Sequence, residues 1–394
     1  MAYALASRTS RLKSSAIREL LKITQQPEVI SLAGGLPAPE LFPIEALQKA
    51  SDTVFRTHGP TALQYGPTEG VGALRARIAA TQQFRALPEQ VLVTTGSQQG
   101  LFLISQIMLD PGDLVVVESP SYLGALQTFD AHQAEYLIVQ SDSQGVIPES
   151  LEEVLANAPK KPKFIYLIPN HQNPSGVTIE ALRRSKIVEI AERHDVIIVE
   201  DDPYGALTFS GQTPPPLRAF SDTHVVYLGS FSKVFAPSLR VAYAIPPAGL
   251  FKYMVQVKQC MDLQTGNLPQ LLALETFAEL DFDTHLARLR ATYGHRCEAM
   301  MASLEAHFPK GSTWTHPQGG MFVWVQLDSD VNTQELLDRA VEHKVAFVPG
   351  APFCVDGGGK NAMRLNFSNV PPATIEEGVS RLANLIKAAV AATV

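Results

Sequence analysis

Lys233 closes the segment GSFSK (229–233), directly after the apolar run VVYLGS (225–230) and before SLRVAYAI (238–245). An amine held between two buried strands is partly desolvated, and desolvation favours its neutral, nucleophilic form. The chemistry such a lysine serves is Schiff-base formation with a carbonyl; the plain alternative is a solvated loop lysine. Asp201 ends VIIVED (196–201), where every residue before Glu200 is apolar. A carboxylate buried there needs a cation or hydrogen bonds, and a protonated pyridine nitrogen is one such cation. Tyr204, three residues on, can offer its phenol to a second polar atom of the same ligand. A helix cap or a solvated turn accounts for this acidic pair's spacing equally well.

Two further places suit anions. GSQQ (96–99) ends one apolar run and opens a helical pattern. The Ser97 hydroxyl and the backbone N–H groups there are placed for a phosphate at the positive end of that helix, although an ordinary N-cap reads the same way. Arg240, seven residues beyond Lys233, can supply the counter-charge or form a surface ion pair. Arg364 lies among apolar residues in AMRLNFSN (362–369). A buried guanidinium calls for a bidentate anion, either a substrate carboxylate or an internal Asp or Glu. Other chemistries are poorly served: GxSxG, Walker A and GxGxxG after a strand are absent, and the 10 histidines are scattered, with His171 in a loop.

The elements that must carry these residues are short β-branched runs alternating with helical patterns. VLVTT (91–95), LVVVE (114–118), FIYLI (164–168), VIIVED, VVYLGS and RVAYAI (240–245) read as buried strands. Segments such as 97–109 and 179–194 read as the helices between them. Repeated βα units predict an α/β fold with a mostly parallel sheet covered on both faces. Ligands in such sheets bind beyond the carboxyl ends of the strands. Five of those ends are polar here: GSQQ, SPSY, PNHQNPSG, DDPY and GSFSK. Five in succession point to one large polar ligand. Residues from about 250 to 308 read as helices only, TPPPL (213–217) as a rigid loop, and the texture after Pro309 as α+β, which places a domain boundary near 290–310.

Composition narrows the function classes. With 394 residues, 45% hydrophobic and 18% charged, the chain is globular with a core that needs no disulfides. A net charge of −7 argues against a nucleic-acid binder. Three scattered cysteines (Cys260, Cys297, Cys354) and no secretory or membrane-spanning run predict a cytoplasmic protein.

Taken together the residues resemble the fold type I, pyridoxal-phosphate-dependent aminotransferases of class I/II. SLAGGLPAPELFP (31–43), LQYGPTEG (63–70), TTGSQQG (94–100), ESPSY (118–122), NHQNPSG (170–176), EDDPY (200–204), GSFSK and RLNFSN (364–369) match that pattern in order, from about residue 8 to the C-terminus. Within the class the sequence is most similar to the 2-aminoadipate and kynurenine aminotransferase branch. The resemblance implies a PLP-binding large domain at 45–300, a small domain at 301–394, and an N-terminal arm at 1–44 that adds to the small domain.

It also implies roles. Lys233 bonds covalently to the cofactor and moves the α-proton, Asp201 pairs with the pyridinium nitrogen, and Asn173 and Tyr204 bind the ring's phenolic oxygen. Tyr122 stacks on the ring. Ser97, Gln98, Ser230, Ser232 and Arg240 surround the phosphate, with Tyr65 entering from the other subunit of a homodimer. Arg364, Asn173 and the Gly35 backbone hold the substrate α-carboxylate. The implied reaction is ping-pong transamination between an L-amino acid and a 2-oxo acid such as 2-oxoglutarate. In this branch the N-terminal segment covers the site, and Arg18 in SSAIRELLKIT (14–24) stands where a side-chain-reading arginine occurs. It would favour a distal carboxylate, as in 2-aminoadipate; a helical arginine paired with Glu19 is the alternative. A racemase, β-lyase or decarboxylase on the same scaffold would retain Lys233, Asp201 and Arg364. A DNA-binding sensor is remote, because the pattern starts too early for a winged helix.

Overall fold

The computed structural model describes residues 3–12 and 28–393. The expected helix at 14–24, with Arg18, lies outside the described residues. A seven-stranded sheet organises the larger part of the chain. Its strands are β1 (Leu92–Thr94), β2 (Leu114–Glu118), β3 (Glu135–Val139), β4 (Phe164–Leu167), β5 (Ile197–Asp202), β6 (Val225–Ser230) and β7 (Ala242–Ile245). They lie in the order β1-β7-β6-β5-β4-β2-β3. Only β7 runs antiparallel to its neighbours, pairing with β1 and β6; the other pairs are parallel. The expected mostly parallel sheet is therefore present. The strand β3 was not anticipated, because EYLIV is short, begins with Glu135 and forms a partly exposed edge.

Why these runs are continuously apolar follows from burial on both faces. Val115, Val117, Phe164 and Tyr166 point into one core, whereas Val116, Ile165 and Leu167 point into the other. That split is the period-2 alternation of a strand carried to two apolar faces. Helices α1 (Ile44–Leu63), α2 (Gly72–Ala80), α3 (Ser97–Met108), α4 (Leu123–Ala131), α5 (Pro148–Ala156) and α6 (Ala181–Arg193) connect and flank the strands. As expected, helices alone fill the next stretch: α7 (Ala248–Met261), α8 (Asn267–Glu279) and α9 (Phe282–His307).

A second, four-stranded antiparallel sheet follows, with β8 (Thr313–Trp314), β9 (Phe322–Gln326), β10 (Val348–Pro349) and β11 (Ala362–Asn366) in the order β8-β9-β11-β10. It packs with α10 (Thr333–Glu342) and α11 (Pro372–Thr393). The run VAFVP, which reads as one strand, is divided. Val345–Ala346 pairs with Ile30–Ser31, and Val348–Pro349 joins the four-stranded sheet. Leu32 N–H donates to Ala346 O and Asn366 N–H to Leu32 O, so residues 30–35 run beside the small sheet into the interdomain space. The helix α9 continues through residue 300, where the expected domain junction falls. No helix among the described residues is long and apolar enough to cross a membrane.

Candidate active site

The site lies at the carboxyl ends of β4, β5 and β6, closed by the small sheet and the 33–36 segment. Lys233 sits in the turn after β6, partly buried, and its Nζ donates to Gly35 O at 2.8 Å. Burial, with the nearby charges of Arg364 and Arg240, lowers its pKa from 10.5 to about 8. Asp201 lies near the end of β5 and is 2% exposed. Its Oδ2 accepts from the Tyr166 hydroxyl at 3.0 Å, while its Oδ1 is buried without a hydrogen-bond partner. Burial raises this carboxyl to about 7, against the pull of the Tyr166 hydrogen bond, and the Asp202 charge adds to the rise. A cap or solvated turn is thereby excluded for Asp201.

Around them stand the aromatic and amide groups expected. Tyr204 is buried, edge-on to Phe322 with ring centroids 5.9 Å apart. Desolvation and the neighbouring Tyr122 hydroxyl push its pKa up, while Arg364 and Asn173 pull the other way. Tyr122 caps α4, and its hydroxyl also acts on Tyr166 and Arg364.

Arg364, on β11, is 1% exposed. Its Nη1 donates to Asn173 Oδ1 at 2.8 Å and its Nη2 to Ala33 O at 2.6 Å, leaving Nε buried and unpartnered. The guanidinium lies over the rings of Phe322 and Phe353, at 4.3 and 5.3 Å from their centroids. Desolvation lowers its pKa to about 10, and the Tyr204 and Tyr122 phenols oppose the shift. No carboxylate among the described residues pairs with it. A buried cation held by neutral groups is prepared for an anion from outside.

At the other end, Gly96 turns from β1 into α3 with φ +93°. A Cβ there would collide with Arg240 Nη2, so only glycine admits the guanidinium against the turn. Arg240 Nη2 also donates to Thr95 O at 3.2 Å. Ser97 Oγ, in the first turn of α3, is buried with no partner. Ser230 Oγ accepts from Ser232 N–H at 3.1 Å, shaping the loop that carries Lys233. The Gln98 amide is engaged elsewhere, donating to Gly124 O and Thr128 Oγ1 at 2.8 and 2.6 Å. Its backbone N–H is what it offers an anion on α3. Tyr65, on the turn after α1, is 78% exposed, an aromatic ring left uncovered by its own chain.

Sequence reasoning missed Tyr166, Phe322 and Phe353. Each sits in an apolar run where an aromatic reads as core. The signal for Tyr166 was its hydroxyl, which needs a partner when fully buried. His171 is structural: it is buried between the Thr178 and Thr208 hydroxyls, and desolvation lowers its pKa to about 3.

Residues 27–382 match the family model for aminotransferase class I and II. The chain belongs to the class I and II aminotransferases. The aromatic-amino-acid aminotransferase 1 of Thermococcus litoralis is 41% identical over 384 residues, which is 95% of this chain and 92% of that protein. The α-aminoadipate aminotransferase of Thermus thermophilus, solved with N-(5′-phosphopyridoxyl)-L-leucine, superposes with a TM-score of 0.93 at 41% identity, covering 99% of this chain and 98% of that one. The kynurenine aminotransferase of Pyrococcus horikoshii, solved with PMP, gives 0.91 at 38% identity, covering 98% and 97%.

This aminotransferase is an α/β enzyme of fold type I, and its cofactor is pyridoxal 5′-phosphate. The residues present fit that group. Asp201 Oδ1, Ser97 Oγ and Arg364 Nε are buried polar atoms without partners. They call respectively for a cation, a hydrogen-bonding anion and a second anion, as a pyridinium nitrogen, a phosphate and a substrate carboxylate would supply.

Proposed function

We propose that this aminotransferase transfers the amino group of L-2-aminoadipate, and of aromatic or other large L-amino acids, to a 2-oxo acid such as 2-oxoglutarate. The observation that carries the reading is the buried Arg364 guanidinium, unpaired with any acid among the described residues and close enough to Lys233 to lower its pKa. Every α-amino acid brings the carboxylate that such a cation takes.

When bound, pyridoxal 5′-phosphate acts as an electron sink for the bond broken at the substrate Cα. Asp201 would hold the pyridine nitrogen protonated through Oδ1, with Tyr166 fixing the carboxylate from the other side. Asn173 and Tyr204 would bind the ring's phenolic oxygen, and Tyr122 would lie on the ring face. Ser97, the Gln98 N–H, Ser230, Ser232 and Arg240 would hold the phosphate. Arg364, steered by Asn173 and Ala33 O, would grip the α-carboxylate beside the Gly35 backbone. That grip sets which Cα substituent faces Lys233, whose neutral amine takes the Cα proton and returns it.

Tyr65 is proposed to complete the phosphate site of a second copy, which makes a homodimer the active unit. Residues 45–300 are proposed as the cofactor-binding unit, with 301–394 and the arm 1–44 on the substrate side. Arg18 is proposed as the reader of a distal carboxylate. Two relatives support breadth: one is named for α-aminoadipate and was solved with a leucine adduct, and another is named for aromatic amino acids. The three cysteines are unpaired, which suits a reducing cytoplasm.

The test is an absorbance titration of the holoenzyme with L-2-aminoadipate. Loss of the lysine-bound cofactor band and its recovery with 2-oxoglutarate are expected. A band that stays unmoved overturns the acidic-substrate reading. Product formed without any 2-oxo acid favours a racemase, lyase or decarboxylase instead.

A further inference from the structure

Lys258, in the last turn of α7, is fully buried. A lysine ammonium is almost never buried unless paired, because leaving water costs several kcal/mol. Here Nζ donates to Gln99 Oε1 at 2.8 Å, to both Asp262 carboxylate oxygens at 3.0 Å and to Thr265 Oγ1 at 3.1 Å. Their contacts lead to the phosphate turn.

Gln99 Oε1 also accepts from Thr95 N–H at 2.8 Å, and Gln99 Nε2 donates to Asp262 Oδ2 at 2.7 Å. Thr95 Oγ1 reaches Asp262 Oδ2 and Thr265 Oγ1, both at 3.3 Å. Thr265 Oγ1 also lies 3.3 Å from Val93 O. The end of β1 and its turn are therefore gripped at Val93 O, Thr95 N–H and the Thr95 hydroxyl. The next residues are Gly96, packed on Arg240, and Ser97 with its unpartnered hydroxyl. The same segment props a second turn. Gln264 Oε1 accepts from Gly66 N–H, and Asn267 Nδ2 donates to Thr61 O and Gln64 O at 3.1 and 2.9 Å, on either side of Tyr65.

We propose that Lys258 is a positioning residue for the phosphate end of the cofactor site. It acts through Gln99 and Asp262 on the Thr95–Ser97 turn, and through the 262–267 segment on the turn bearing Tyr65. The proposal rests on the reading that the Thr95–Ser97 turn and Arg240 receive the cofactor phosphate. Removing the ammonium loosens the turn through Gln99. It also leaves the Asp262 carboxylate uncompensated beneath an anion site, and both effects weaken phosphate binding specifically.

The experiment compares pyridoxal 5′-phosphate with phosphate-free pyridoxal on the apoenzyme, by equilibrium dialysis and by absorbance of the lysine-bound form. In Lys258→Met, pyridoxal 5′-phosphate should bind about tenfold or more weakly, and pyridoxal within about twofold of wild type. Gln99→Met, which removes the Thr95 N–H acceptor but keeps the Lys258–Asp262 pair, should shift the same ratio in the same direction. Equal weakening of both ligands, or no weakening of either, overturns the proposal. If Lys258→Met does not fold, Gln99→Met decides by the same criterion. Failure of the wild-type chain to bind pyridoxal 5′-phosphate would sink the cofactor-site reading instead.

Discussion

Replacing Asp201 by Asn should stabilise the apoenzyme while crippling the holoenzyme. Burial lifts the Asp201 carboxyl from 3.8 to about 7. At about 1.36 kcal/mol for each tenfold step, charging it inside the folded apoenzyme costs about 4 kcal/mol more than in the unfolded chain. Because the folded pKa is raised, the folded chain keeps a proton that the unfolded chain releases. The stability from this group is complete below pH 3.8 and is lost as pH rises through about 7. Asparagine mimics the protonated form at every pH and can still accept from Tyr166. Apo Asp201→Asn should therefore exceed apo wild type at pH 8 and converge on it toward pH 4.

For a 394-residue chain, with about 2.1 cal/mol/K of unfolding entropy per residue, 4 kcal/mol corresponds to about 5 °C in Tm. The assay is thermal unfolding of both apo proteins across pH 4–8, read as the difference between them. That difference removes the contribution of Glu118 and Glu200, also raised by burial to about 7 and about 8. Adding pyridoxal 5′-phosphate should reverse the ranking, since the ring nitrogen supplies the missing cation only to the wild type. The amino-transfer half-reaction should fall about a hundred- to a thousandfold in the variant, matching loss of a buried charge pair. A pH-independent difference, or an apo variant less stable than wild type at pH 8, would refute the reasoning.

Other perturbations probe the remaining groups. Lys233→Ala should retain bound cofactor, visible as a shifted absorbance band, and lose at least about a thousandfold in turnover; normal activity would remove Lys233 from the chemistry. The rate at which wild-type apoenzyme captures pyridoxal 5′-phosphate should rise with pH around a midpoint of about 8, because the neutral Lys233 amine is the reacting form. A rate that falls or stays level across pH 7–9 in stopped-flow absorbance would contradict this. Arg364→Lys keeps the charge but loses the planar fork, and should lower kcat/KM by about a hundredfold for 2-aminoadipate and leucine alike. Unequal losses would show that Arg364 reads the side chain.

How much of this was legible in the sequence depends on the range of the interaction concerned. Strand runs, polar strand ends and the glycine-to-helix turn at 96–97 are local, because apolar β-branched runs bury and turn residues punctuate them. So Lys233, Asp201 and Ser97 could be singled out from neighbours alone, and the ordered set of eight segments around them carried the resemblance to the family. Edge strand β3 was not legible because its short run begins with Glu135 and is partly exposed, and the division of VAFVP was not because Val345–Ala346 pairs with Ile30–Ser31 at the other end of the chain.

The sequence by itself determined which side chains were available, and tertiary structure alone decided what each one meets. Arg364 left its partner open in the sequence, and packing surrounds it with Phe322, Phe353, Asn173 and Ala33 O. Lys233 meets Gly35 O across 198 residues of chain, and Tyr166 becomes the brace of Asp201 only because β4 and β5 are parallel neighbours. Lys258, one lysine on an amphipathic helix, gives no local sign of its burial. Desolvation and hydrogen-bond satisfaction depend on everything packed around a group, and that information lies in the fold rather than in any window of sequence.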